Sequence, residues 1–190
     1  MKRRCDESRA PIVLIGPACA GKSTQAGLLA VALGWPRASL DDLIWQYCAD
    51  AGYSRTDFER TRTTNGASLA RRPLPALFAN GVERIVREHP GKVIDLGAGH
   101  THLTDATLRA RLRRALAGCP NVVLLLPAPD PEVSIRILKM RSLHTRGHDW
   151  VRDGHDHIAR WVSQSPNSEL ATRTVYTDGK TPEQTRDEIL

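Results

Sequence analysis

The chain has 190 residues, of which 41% are hydrophobic and 25% charged, and its net charge is +6. That length suits one folded domain with a sizeable core, and no apolar run approaches the ~20 residues that a membrane helix needs. The positive charge comes mostly from scattered arginines without an aromatic-interleaved basic patch, which argues against a nucleic-acid partner. The basic start, MKRRCDESRAP, runs into an apolar segment too short for a signal peptide, so a cytoplasmic location is expected. Cys5, Cys19, Cys48 and Cys119 have no metal-ligand spacing, and a reducing compartment would keep them as thiols.

Residues 11–15, PIVLI, read as a buried parallel strand. The stretch GPACAGKST follows at once, and then a helix in which Leu28, Leu29, Ala32 and Leu33 are expected on one face, with Gly34 as its stop. Residues 37–40 are expected as a second strand, with Asp41 or Asp42 at its end beginning a helix. Residues 55–89 read as mostly helical with a break at RRPLP. Val93 and Ile94 form a strand that ends at Asp95, and residues 104–117 a helix capped by Thr104 or Asp105. NVVLLLP is another buried strand, and PEVSIRILKMR is a helix with Pro131 in its first turn. Residues 142–157 are polar, and HIARWVSQ reads as a short helix. RTVYTDG is the last strand, and TPEQTRDEIL a helix with a threonine cap. Alternating strands and helices predict an α/β fold, a five-stranded parallel sheet covered on both faces. In such sheets ligands bind beyond the carboxyl ends of the strands, where residues 16–23, Asp41, residues 95–99 and residues 178–182 all fall.

Gly16, followed after four residues by Gly21, Lys22 and Ser23, is a complete phosphate loop set between a strand and a helix. Its glycines let backbone N–H groups turn toward an anion, and the helix N-terminus adds partial positive charge. Gly16, Pro17, Ala18, Cys19, Ala20, Gly21, Lys22, Ser23 and Thr24 are therefore the expected nucleotide contacts. Lys22 would reach the β- and γ-phosphates and Ser23 would hold Mg²⁺. Mg²⁺ takes oxygen ligands, so Asp95 is the candidate supporting carboxylate; the alternative is a turn aspartate before Gly97. Asp41 is the candidate acceptor of a proton from an attacking hydroxyl; the alternative is a helix cap. Arg141 and Arg146 are candidates for a mobile lid that brings charge to the phosphates and excludes water, whereas Arg136 reads as a helix-surface residue. His144, His148, His155 and His157, with Asp149, Asp153 and Asp156, match no zinc spacing.

In order along nearly the whole chain, GPACAGKST, SLDDLI, VIDLGAGH, NVVLLLP, an arginine-bearing segment and YTDGKTP resemble the shikimate kinase branch of the P-loop small-molecule kinases. The resemblance implies one P-loop kinase domain over residues 1–190, a sheet of order 2-3-1-4-5, a substrate-binding region at about 42–90 and a lid at about 142–160. It implies that ATP is the donor and Mg²⁺ the cofactor, and that Asp41 binds the acceptor hydroxyl. Gly97, Ala98 and Gly99 would line the acceptor pocket, Arg141 and Pro182 would sandwich adenine, and Arg146 would touch the phosphates. There are departures. Ser39 stands where the family has its first aspartate, and Ala98 interrupts a triple glycine. Glu59 replaces an arginine and leaves Arg60 beside it, and SPNSEL lacks the arginine expected before the last strand. These point to a small-molecule hydroxyl acceptor other than shikimate, phosphorylated by a monomer or homodimer. The alternatives are a nucleoside, nucleotide or RNA-end kinase, or a non-catalytic nucleotide-binding regulatory module.

Overall fold

The structure, a computed structural model, describes residues 10–152, 154–163 and 166–190. The basic N-terminal stretch with Cys5, Asp153 of the polar segment and Ser165 of SPNSEL lie outside the described residues.

The strands are, in chain order, β1 (Ile12–Ile15), β2 (Arg37–Ser39), β3 (Val93–Asp95), β4 (Asn121–Leu126), a short antiparallel pair β5 (Val151–Arg152) and β6 (His155–Asp156), and β7 (Arg173–Tyr176). Five of them form one parallel sheet in the order β2-β3-β1-β4-β7, which is 2-3-1-4-5 when only the sheet strands are counted. β1 is buried along its whole length, as both faces of a parallel sheet are covered. Successive residues point to opposite faces. Val13 and Ile15 thus join one core cluster with Leu40, Ile44 and Ile94, while Ile12 and Leu14 join the other with Leu29, Val123 and Leu125. The register sets Leu14 and Ser39 level with Asp95, so the carboxyl ends of β1, β2 and β3 open onto one edge.

Helix α1 (Lys22–Leu33) runs between left-handed glycines, Gly21 with φ 93° and Gly34 with φ 64°. Its buried residues are Lys22, Gln25, Ala26 and Leu29. The sequence-predicted face is rotated from this one, since Leu28 is half-buried and Ala32 exposed. Apolar residues run almost all round this helix, so periodicity does not fix its phase. The phosphate loop does, because it requires Lys22 to point inward.

Between β2 and β3 come α2 (Leu40–Asp50), α3 (Arg55–Asn65), α4 (Ala67–Arg71) and α5 (Leu74–Glu88). The gap between α4 and α5 falls at the predicted RRPLP break. α3 starts from a Ser54–Asp57 capping box and buries none of its residues, though Phe58 packs on Trp45 of α2 with ring centroids 5.4 Å apart. α5 buries Ala79, Gly81, Val82 and Ile85. A Cβ on Gly81 would come within 2.7 Å of Ile44 Cδ1, so this glycine permits close approach to α2.

After β3 the chain makes α6 (Ala98–Thr101), a single turn not foreseen from the sequence, and then α7 (Ala106–Leu116), capped by Asp105. α8 spans Pro131–Arg146 and stops at Gly147, with φ 70°. The polar segment predicted from residue 142 therefore begins as the last turn of this helix. Leucine, serine, histidine and threonine are all tolerated there, so polarity is a poor guide to the helix end. α9 (His157–Ser163), the four-residue α10 (Asn167–Leu170) and α11 (Pro182–Ile189) complete the chain. Thr181 and Gln184 form a capping box at the start of α11.

Candidate active site

Gly16 has φ 135°, and a Cβ there would lie 2.5 Å from the Leu125 carbonyl oxygen of β4. Only glycine fits this join of strand to loop. Cys19 also takes a left-handed conformation, with φ 62°. Lys22 is 8% exposed, and its Nζ donates to the carbonyls of Gly16 at 2.9 Å and Pro17 at 2.8 Å. Burial lowers its pKa to about 8; the charges of Asp41 and Asp95 oppose that shift and Arg146 adds to it. Ser23 and Thr24, at the helix start, are exposed.

Asp95, at the end of β3, is 2% exposed and accepts from four donor atoms. Arg37 grips it with two, Nε to Oδ1 at 2.7 Å and Nη2 to Oδ2 at 3.0 Å. Ser39 Oγ donates to Oδ2 at 3.2 Å and Ser23 Oγ at 3.3 Å. Arg37 and Ser39 alternate on one side of β2 and so reach the same carboxylate. The bond to Asp95 raises the Arg37 pKa. Sequence reasoning missed Arg37; the signal was a charged residue two positions before Ser39 on a short strand. Hard oxygen donors suit Mg²⁺, and Ser23 fits one: it gives its proton to Asp95 and keeps its oxygen lone pairs. Asp95, with both oxygens engaged, fits the supporting place behind Ser23.

Asp41 lies in the first turn of α2, its side chain 66% exposed, with Oδ1 3.8 Å from His100 Nε2. A Cβ on Gly97 would sit 2.3 Å from that same Oδ1 and 2.9 Å from His100 Cε1. Gly97 is thus the notch that admits the Asp41 carboxylate. Ala98 is buried, and a Cβ on Gly99 would reach ordinary contact with Phe78 at 3.9 Å. His100 is 5% exposed and meets Phe78 edge-on at 4.8 Å. Its Nδ1 accepts from the Gly97 N–H at 3.0 Å, which assigns the proton of the neutral ring to Nε2. Burial lowers the His100 pKa to about 4. Nothing in the sequence singles out this histidine, because a lone histidine after glycines has no motif.

The remaining candidates lie elsewhere. Arg141 Nη1 donates to Thr177 Oγ1 at 3.0 Å, tying α8 to the end of β7. The carbonyl of Pro182 accepts from Gln25 Nε2 at 2.9 Å, tying the start of α11 to α1. Arg146 is exposed, its Cζ 5.8 Å from the Trp150 ring. Trp150 in turn packs on Trp161 at 5.1 Å and His148 at 4.8 Å. Arg60 is 69% exposed and pairs with Asp57 on its own helix.

A parallel sheet of this order, with a glycine loop between β1 and α1, defines the P-loop kinase fold. No protein-family model and no curated protein matches the chain. Solved structures do. Shikimate kinase from Acinetobacter baumannii, in complex with shikimate, aligns with a TM-score of 0.63 at 18% identity, over 96% of this chain and 92% of that chain. Shikimate kinase from Aquifex aeolicus aligns at 0.54 and 20% identity, over 94% and 93%. A gluconokinase from Sinorhizobium meliloti aligns at 0.53 and 20% identity, over 96% and 91%. The chain thus has the fold of the shikimate kinase and gluconokinase type of P-loop kinase. No helix among the described residues is long and apolar enough to cross a membrane.

Proposed function

We propose that the protein is an ATP-dependent kinase that transfers the γ-phosphate to a hydroxyl of a small molecule other than shikimate. The observation that carries this reading is the convergence of Lys22, Asp41 and Asp95 at one sheet edge, close enough for both carboxylates to raise the lysine's proton affinity. A phosphate loop facing a solvent-accessible carboxylate suits donor and acceptor on opposite sides of one cleft.

In this reading residues 16–24 hold the ATP phosphates, and Lys22 turns from the loop carbonyls to the β- and γ-phosphates. Ser23, held by Asp95, would bind Mg²⁺, which supplies positive charge to the phosphate oxygens. Asp41 accepts the proton of the acceptor hydroxyl. The hydroxyl oxygen bonds to the γ-phosphorus while the bond from that phosphorus to the β–γ bridging oxygen breaks, and ADP leaves. Arg146 moves onto the phosphates from the end of α8, and Arg141 and Pro182 flank the base. Residues 42–90 surround the acceptor with Gly97, Ala98 and Gly99, and residues 142–160 act as the lid. Arg60 would contribute only if α3 swings inward. The missing arginine in SPNSEL and the serine at position 39 support an acceptor other than shikimate.

The test is ADP release from ATP and Mg²⁺ with shikimate, gluconate, nucleosides, aminoglycoside-like polyols and short RNA offered separately. One small polyol should stimulate release and shikimate should not. Stimulation only by nucleosides or RNA ends would favour the alternative kinase class, and ATP binding without any stimulation would indicate a regulatory module. Asp41→Asn is expected to remove acceptor-dependent release by a factor of at least 10² while ATP affinity stays within about threefold. An unchanged rate would exclude Asp41 as the base.

A further inference from the structure

We infer that His100 is the positioning residue for the Asp41 carboxylate, with its neutral Nε2–H aimed at Oδ1 so that Oδ2 is left as the basic atom. The inference rests on the kinase reading above for its function, but its geometry stands without it. His100 is enclosed by α2 through Asp41, α5 through Phe78, and its own turn through Gly97. The charged groups it faces are Asp41, Lys22 and Asp95. Its Nδ1 is committed to the Gly97 N–H, so the ring cannot reverse its tautomer without losing a buried hydrogen bond. The remaining N–H is on Nε2, which lies 3.8 Å from Asp41 Oδ1. A hydrogen bond between them requires this separation to shorten to about 3 Å.

The two carboxylates of the site are held by different chemistry. Arg37 neutralises Asp95 with a two-pronged ion pair. His100 orients Asp41 with an uncharged donor, which preserves the negative charge that a proton acceptor needs. The neutral His100 ring lies 3.8 Å from Asp41, and Gly97 keeps the space between them open.

Imidazole ¹⁵N spectra of the full-length protein between pH 5 and 8 test the geometry without any acceptor. The expected result is a neutral Nε2–H tautomer throughout, with Asp41→Asn shifting the Nε2 resonance and leaving Nδ1 nearly unmoved. An Nδ1–H tautomer, or an Nε2 resonance indifferent to Asp41→Asn, overturns the inference. Function is read by ADP release with Mg²⁺, ATP and a pool of shikimate, D-gluconate, adenosine and kanamycin. His100→Gln keeps an N–H near the Nε2 position and should hold the rate within about threefold. His100→Asn keeps only an acceptor for the Gly97 N–H and should lose at least tenfold, with the KM for ATP unchanged. The reverse ranking would make His100 a cap for residues 97–101 and nothing more. If no member of the pool is phosphorylated while the spectra behave as expected, the acceptor reading fails and the Asp41–His100 contact stands.

Discussion

Lys22 holds its charge in the folded protein at a cost set by its burial. Burial brings its pKa to about 8 from 10.5. The unfolded chain therefore binds more protons between those values, and this group's contribution to stability rises with pH across that window. Below pH 8 the cost of the buried ammonium is fully present. Phosphates placed beside Lys22 must raise its pKa again. Nucleotide binding at pH 8.8 is thus expected to take up part of a proton, measured as a dependence of the calorimetric binding enthalpy on the ionisation enthalpy of the buffer. Lys22→Ala should abolish both that uptake and phosphoryl transfer; near-normal turnover in this variant would remove the loop from the active site. At this scale Gly16, Gly21, Lys22 and Ser23 were legible, because the phosphate loop is a local device whose geometry is written in consecutive residues. Arg37 and His100 were not, since each gains its meaning from a partner more than fifty residues away, Asp95 for one and Asp41 for the other.

The elements follow from apolar runs and caps, and their joints follow from glycines. Gly16 opens the phosphate loop and Gly27 lies within α1, and the two face opposite demands. A Cβ on Gly16 meets the backbone oxygen of Leu125, whereas nothing lies within 4 Å of one on Gly27. Gly16→Ala is expected to cost about 3 kcal/mol or more, because backbone cannot yield as a side chain can. Gly27→Ala, within α1, should gain about 0.5–1 kcal/mol from helix propensity. Urea denaturation of the two variants checks both signs. The five strands of the parallel sheet, the α4–α5 break and the Thr181 cap were readable from local pattern, whereas the β5–β6 pair inside the polar segment was not. The phase of α1 and the full length of α8 were not, because tertiary contacts override a weak or mixed periodicity.

For the whole molecule, sheet order and register bring the ends of β1, β2 and β3 together, so ligand binding and folding are coupled. ATP with Mg²⁺ at 100 times its dissociation constant should stabilise the fold by about 2.7 kcal/mol. For a chain of this size that is a rise of roughly 5–10 °C in melting temperature. Differential scanning fluorimetry reads the shift, and Lys22→Ala should lose most of it. The sequence by itself determined the α/β class and the phosphate loop, because hydrophobic period and a glycine motif act over short stretches of chain, while the strand order followed only from the resemblance to the shikimate kinase branch. Only the tertiary structure decided which carboxylate is buried against a cation and which stays exposed. That difference depends on what packing brings to each aspartate, three donor side chains from Arg37, Ser39 and Ser23 to Asp95 and the buried His100 ring to within 3.8 Å of Asp41, and spacing along the chain does not encode it.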